Sequence, residues 1–484
     1  MQGGRVTDYG TLQRRAAAIG AALASSGFKV HERVGIFLDG GADAIAAFFG
    51  VTAAGGIAVV INESLRPRQV EHILEASGAT TLITSEDLLA RQPRQLETRT
   101  QLLLAPMLED LLPVTYAPVP RSGMDPAQIV FTSGSTGLPK GVTVTHANLL
   151  AAAETVIGYL GITATDRVAS VLPFSFVYGM SQVLCAAGSG AALVVARSPL
   201  ASQLVTELRA QQVSVLAAVP PLWQQLLNVA SFRDEPLQSL RLVTNAGGHL
   251  PVPVVRALRR AQPQARLFLM YGLTEVLRST FLPPEEVDRR PDSIGRAIPR
   301  AEVLVLRDDL TPCEPGEVGE LVHRGPTVTL GYWNDPEETA RVFRPHPLRP
   351  AGTPDTERVV FSGDLVRQDA DGWLYFVGRS QRMIKTLGYR VSPDEIGTVL
   401  YASGEVAECI ITSEPDDARG ERIVAFVVLA GGGSLDRLRA YVGVELPRHM
   451  QPARYEVRDA LPRLPSGKHD VAALRGEQRQ GAWT

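Results

Sequence analysis

Cysteine is scarce in this chain: Cys185, Cys313 and Cys409 are far apart and odd in number. That excludes a disulfide scaffold and a CxxC-type zinc site, and a reducing, cytoplasmic compartment fits best. A basic excess is also lacking. The formal net charge of -3 over 484 residues offers nothing special to a nucleic-acid backbone or an anionic membrane. Residues 168–196 carry no charge, but Pro173, Ser175, Ser181 and three glycines break them up. The spacing therefore predicts core strands and a helix, not a membrane span. Arg14-Arg15 before AAAIGAALASSG imitates a twin-arginine export signal. Leu12, Ala16, Ile19 and Leu23 nevertheless recur at helical spacing, with Gly27 as a stop, so an amphipathic helix is expected and no anchor.

Lysine is rare relative to arginine. Only Lys29, Lys140, Lys385 and Lys468 stand among 48 basic residues; the rest are arginine. Three of the four fall inside the motifs below, which weighs against reading them as solvated surface charges.

What is present is core material. The chain is 45% hydrophobic and 20% charged, and its length exceeds what one hydrophobic core organises, so at least two domains are expected. The first half alternates helical and short apolar patterns: helix 11–25, strand 33–38, helix 42–53, strand 57–61, helix 67–76, strand 80–83. That alternation predicts an α/β layered unit on a largely parallel sheet. Residues 91–126 read as a loop-rich bridge. The pattern resumes at Gln128, with helix 146–159 and strands near 168–172, 191–195, 214–218 and 241–244. From about Pro299, EVLVLRD and GELVHRG predict an antiparallel sheet or barrel-like appendage. Residues 343–358 read as an exposed loop. After a boundary near 378–382, helix 393–401, strands 407–412 and 422–428, helix 434–445 and a weakly periodic tail form an α+β unit.

The strongest motif is FTSGSTGLPKG, Phe131 to Gly141. A strand enters a turn bearing Thr132, Ser133, Gly134, Ser135, Thr136, Gly137 and Lys140. Glycines let backbone N–H groups approach a polyanion, hydroxyls add donors and the ammonium adds charge. This is phosphate-loop chemistry. Walker A spacing is not met, because Gly141 follows Lys140, so a P-loop ATPase is excluded.

The chain resembles the adenylate-forming (ANL) superfamily of acyl-CoA synthetases, peptide-synthetase adenylation domains and luciferases. Besides that loop, the family's signatures occur in order: Tyr271-Gly272-Leu273-Thr274-Glu275, Ser362-Gly363-Asp364, Gly378-Arg379, IKTLGYRVSPDEI (384–396), and PSGK ending at Lys468. The resemblance implies an α/β fold. A large multi-layered N-terminal domain (1–379) would hold two α/β subdomains and a small β-barrel-like part. A small mobile α+β C-terminal domain (380–484) would follow a hinge near Gln381, where the family usually has Asp or Lys. The family also carries some tens of residues before the helix that here begins near Thr7, so either a covering element is expected to be missing or the start site is misassigned.

The resemblance further implies ATP-dependent activation of a carboxylic acid to acyl-AMP with pyrophosphate release. Residues 132–141 would hold the β- and γ-phosphates, Thr274 the α-phosphate, Glu275 Mg²⁺ and Asp364 the ribose diol with Arg379 beside it; Gly247-Gly248 would line the adenine and acyl pocket, Tyr271 would lie against the adenine, and Gly272 would belong to the nucleotide site. Lys468 would reach the acyl carboxylate, and Arg390 a phosphate in the second half-reaction.

The acyl pocket would draw on 173–180, 219–223, 245–249 and 270–272, including Phe174, Phe176, Tyr178, Gly179, Trp223 and Asn245, with His249 either touching the acyl group or capping the following helix. Amino-acid-activating relatives place an Asp in the first segment. None stands here, and a buried ammonium lacking its partner is costly, so an apolar, cyclic or aromatic acid is expected. Coenzyme A is the expected acceptor. An amine, as in coronafacate-ligase-like amide ligases, or a carrier-protein pantetheine are the alternatives. A luciferase-like oxygenase and a degenerate acyl-binding protein are disfavoured, because nothing is added to the ligase pattern and Lys140, Glu275, Asp364, Arg379 and Lys468 are all present.

Overall fold

The computed structural model describes residues 5–92, 95–98, 100–104, 116–132, 139–198, 200–354, 356–380, 384–386, 389–416, 420–446, 448, 450–464 and 469–474. Three sheets organise these residues.

The first sheet runs Gln101–Leu104, Thr81–Thr84, Arg33–Phe37, Ile57–Val60 and Pro126–Thr132, all parallel, and then Lys140–Thr145 and Gly331–Tyr332, antiparallel. Its central strands RVGIF and IAVV are apolar almost throughout, as strands covered on both faces must be. Helices Tyr9–Ser25 and Ala42–Ala53 pack there through Ile19, Leu23, Phe48 and Val51. Asp8 accepts the Thr11 N–H at 2.6 Å and caps the first of them.

The second sheet begins with parallel strands Ala192–Val195, Arg167–Ser170, Val215–Ala218, Leu242–Asn245 and Arg266–Tyr271. It then turns antiparallel through Thr280–Leu282, Ser293–Ala297, Leu374–Arg379, Arg358–Gln368, Val318–Arg324 and Glu302–Leu306. The antiparallel part expected from Pro299 onward thus belongs to the same ladder as the parallel strands. Helix Val177–Ser189 occupies the middle of the apolar run 168–196, in line with the sequence pattern. The third sheet holds Tyr389–Val391, Ile384–Thr386, Gly420–Leu429, Val406–Asp416 and Arg454–Val457, with helices Pro393–Ala402 and Leu435–Glu445 beside it. Its core gathers Ile396, Leu400, Ile423 and Leu438.

Three segments differ from the sequence reading. The bridge 91–126 contributes an edge strand, Gln101–Leu104, in register with Thr81–Thr84. The loop 343–358 begins with strand Phe343–Pro345, which pairs with Arg358–Gln368 because Phe343 fills a cluster with Val276, Val342 and Val360. The tail holds strand Arg454–Val457, added in parallel to Gly420–Leu429.

Candidate active site

The residues singled out by the motifs gather where the parallel strands end. Leu242–Asn245 and Arg266–Tyr271 deliver Asn245 and Tyr271 to the carboxyl edge of the second sheet, the position where open α/β sheets bind ligands. After Tyr271 the chain forms a 3-10 turn, Thr274–Val276, and returns as an antiparallel strand.

One corner of the site joins Tyr271, Asp364 and Arg379. Strands Arg358–Gln368 and Leu374–Arg379 place Asp364 directly opposite Arg379. The Tyr271 hydroxyl donates to Asp364 Oδ2 at 2.6 Å. Arg379 Nε lies 2.9 Å from Oδ1, an ion pair without hydrogen-bond alignment, so that buried oxygen keeps acceptor capacity. Burial, and then the Asp364 charge, push the Tyr271 phenol well above its ordinary value, so it stays a donor. Gly363 sits at φ +69°, a left-handed conformation that lets its N–H reach Glu320 at 2.8 Å.

A second corner centres on Tyr332. Its hydroxyl donates to Glu275 Oε1 at 2.6 Å, while Lys140 Nζ lies 5.8 Å from its ring centroid. Lys140 is paired with Glu338 at 3.1 Å and Asp335 at 3.8 Å. Arg341, foremost, and Lys140 hold the Glu338 carboxyl at about 2. Lys140 and Thr132 face each other across the hairpin that carries the phosphate-loop motif. Ser133, Gly134, Ser135, Thr136 and Gly137 lie outside the described residues, as do Gln381 and Lys468. Arg390 lies opposite Lys385 in the 384–391 hairpin.

Around these corners, Thr274 and Gly272 are half-buried in the turn. Gly247, Gly248 and His249 are exposed between strand Leu242–Asn245 and helix Val252–Ala261. Asn245 donates to the Gly248 carbonyl at 3.2 Å, and its own Oδ1 is buried without a partner. Tyr178 is buried and bonds Thr244 through both backbone oxygen (2.8 Å) and hydroxyl (2.6 Å). Phe176 is half-buried at the start of its helix. Phe174 instead packs in the core beneath Arg197, whose guanidinium covers its ring at 4.9 Å. Gly179 answers a packing demand, since a Cβ there would meet the Pro173 carbonyl oxygen at 2.0 Å.

Sequence reasoning passed over Tyr332, Glu338 and Arg278. Tyr332 and Glu338 stand in a stretch with no periodic signal. Arg278 had a signal: a single cation three residues past Glu275.

At the junction of the parallel and antiparallel parts stand Asp364, the hairpin that carries Thr132 and Lys140, and the turn that carries Glu275. The chain belongs to the AMP-binding enzyme family, whose main domain matches residues 1–333 and whose C-terminal domain matches 395–468. Novobiocin biosynthesis protein H of Streptomyces niveus is 31% identical over 488 residues, covering 97% of this chain and 78% of that protein. A linear gramicidin synthase of Brevibacillus parabrevis is 32% identical over 481 residues, covering 97% of this chain. The chain spans only 9% of that synthase. The o-succinylbenzoate CoA synthetase of Bacillus subtilis, solved with its acyl-adenylate intermediate, superposes with a TM-score of 0.86 at 26% identity, covering 98% of this chain and 94% of that one. The same synthetase has been solved with ATP and a magnesium ion. Among the described residues no helix is long and apolar enough to cross a membrane.

Proposed function

We propose that this ligase uses ATP and Mg²⁺ to convert a small carboxylic acid to its acyl-AMP and pyrophosphate, and then passes the acyl group to coenzyme A. The observation that carries it is the spatial order of the two corners. Asp364 with Tyr271 and Arg379 offers a ribose-binding acceptor, and Glu275 and Lys140 offer a cation ligand and a phosphate countercharge. The same turn, 271–276, ties them together.

Glu275 fits magnesium, which takes one or two carboxylates and completes its shell with water and substrate phosphates. Tyr332 donates to one of its oxygens and fixes the carboxylate's direction, and Glu275 would hold the cation through the remaining oxygen. When bound, the cation neutralises charge on the leaving pyrophosphate. Attack of a carboxylate on an α-phosphate joins two anions, so the chain's own task is positioning and charge compensation. Lys140 neutralises the β- and γ-phosphates after exchanging Glu338 for them, and Thr274 binds the α-phosphate. Gly247, Gly248, Tyr271 and Gly272 line the adenine. Lys468, from a small domain spanning 380–484, approaches the acyl carboxylate. Rotation about Gln381 then brings the 385–390 face, with Arg390, to the site for transfer.

Pyrophosphate release across a panel of acids, with Lys468→Ala beside wild type, tests the first step. Acid-dependent release that collapses in the variant is expected; equal release from both sinks the role of Lys468, and release from neither sinks adenylation. Rerunning each active acid with coenzyme A, free amines or a phosphopantetheinylated carrier protein, with products identified by mass, tests the acceptor. The match to linear gramicidin synthases favours the carrier as second reading.

A further inference from the structure

Arg278 is out of place for a cation. It is 4% exposed, its guanidinium lies 4.9 Å from the centroid of the buried Tyr178 ring, and Nη1 donates to the Leu277 carbonyl at 2.8 Å. Nε and Nη2 are buried with no hydrogen-bond partner. The Tyr159 hydroxyl donates to Met270 Sδ at 2.9 Å and, within reach of Arg278, offers the guanidinium a neutral acceptor but no countercharge. Among the described residues no carboxylate pairs with Arg278. A charge held in such a place without a counterion is expensive, and buried charges are ordinarily paired.

The backbone is bent to put it there. Leu277 sits at φ +55°, ψ -50°, and the Arg278 N–H closes onto the Val276 carbonyl at 2.5 Å, a γ-turn of the rare, strained hand. Such conformations persist where the surroundings over-determine them. Here a buried chain does so. Thr327 donates to the Arg278 carbonyl at 3.3 Å and meets His323 at 3.1 Å, and His323 meets the Ser279 hydroxyl at 3.0 Å. The guanidinium is thereby delivered to the wall of a mainly apolar pocket that also touches Val130, Leu149, Val177, Met180 and Ser181.

The two idle nitrogens share one edge of the guanidinium, the edge whose parallel N–H groups match the two oxygens of a carboxylate. The rest of the molecule uses that edge in just this way. Nε and Nη2 together grip Asp166 from Arg241, Glu317 from Arg307, Glu338 from Arg341 and Glu405 from Arg437. In Arg278 the same fork meets no carboxylate among the described residues.

We infer that Arg278 is a specificity-determining residue whose Nε–Nη2 edge binds a second carboxylate, at the far end of the acid that the enzyme activates. This rests on the adenylation reading and narrows its substrate to dicarboxylic acids: one carboxylate reaches the α-phosphate at Thr274 and reacts, while the other docks at Arg278. The pocket as it stands is small, so the carbon body of a diacid has to part its apolar walls.

The test compares matched pairs, glutarate against pentanoate and benzene-1,3-dicarboxylate against benzoate, by pyrophosphate release and by calorimetric binding. Wild type is expected to favour the better-fitting diacid over its monoacid by about 100-fold in kcat/KM, the scale of a buried charge pair that loses one member. Arg278→Met is expected to invert that order, and Arg278→Lys, which keeps charge without the fork, to retain less than a tenth of it. Should Arg278→Met not fold, Arg278→Gln carries the comparison. Monoacids that equal or outperform diacids in wild type, or a diacid preference that survives both variants, overturn the inference and leave adenylation standing. A diacid that binds wild type but not the variants, with no pyrophosphate from any acid, supports the carboxylate site and overturns adenylation.

Discussion

Tyr271 closes the last parallel strand and reaches across 93 residues of sequence to Asp364, its hydroxyl 2.6 Å from Oδ2. This bond couples the strand that leads into the glutamate turn to the strand that carries the aspartate. Removing the aspartate leaves a buried phenol and Arg379 without their shared partner. Asp364→Ala is expected to lower kcat/KM for ATP by about 100-fold or more, and Asp364→Asn, which still accepts from Tyr271, by less. Equal activity in all three proteins would show that the corner is only structural.

Tyr332 is placed to aim Glu275 and not to touch the reacting atoms. Tyr332→Phe deletes one hydroxyl and keeps the ring that Lys140 and Phe343 face. The Mg²⁺ concentration for half-maximal pyrophosphate release is expected to rise several-fold, with a melting change of about 2–4 °C for the single lost hydrogen bond. A large melting change with an unaltered Mg²⁺ requirement would assign Tyr332 to stability alone.

At Gly179 the backbone of helix Val177–Ser189 nearly touches the preceding turn. The Cβ of alanine would stand 2.0 Å from the Pro173 carbonyl, so the turn or the helix must shift. Gly179→Ala is expected to destabilise by about 3 kcal/mol, a fall in melting temperature of roughly 6–12 °C. Calorimetry checks it; wild-type melting would mean that the turn yields freely.

Burial holds His323 down to about 4, far below its ordinary 6.5. The native state therefore refuses a proton that the unfolded chain accepts. Stability from this group is complete above pH 6.5 and is lost as pH falls from 6.5 to 4, about 3 kcal/mol in all. Denaturant midpoints measured over that window should fall less steeply in His323→Asn. Parallel slopes for variant and wild type would contradict a neutral, desolvated imidazole.

Periodicity made the layered fold legible. The helix at Tyr9–Ser25 and the strands Arg33–Phe37 and Ile57–Val60 announce themselves because one unbroken apolar face or run decides each. Motif order likewise pointed to Asp364, Arg379 and Glu275. Strands Gln101–Leu104, Phe343–Pro345 and Arg454–Val457 escaped because each is short and exists through an edge pairing with a distant strand. Tyr332 and Arg278 escaped for another reason. The place of Arg278 after Glu275 was a hint, but what sets it apart from the surface arginines is burial without a counterion, a tertiary fact.

The ladder from Arg266–Tyr271 through Thr280–Leu282, Ser293–Ala297 and Leu374–Arg379 to Arg358–Gln368 is continuous. Tyr271, the glutamate turn, Asp364 and Arg379 are thus immobilised when the sheet forms, before any ligand arrives. Their orientational entropy is surrendered to folding. In the proposed reaction, free energy of nucleotide association then goes into fit instead of into ordering these groups.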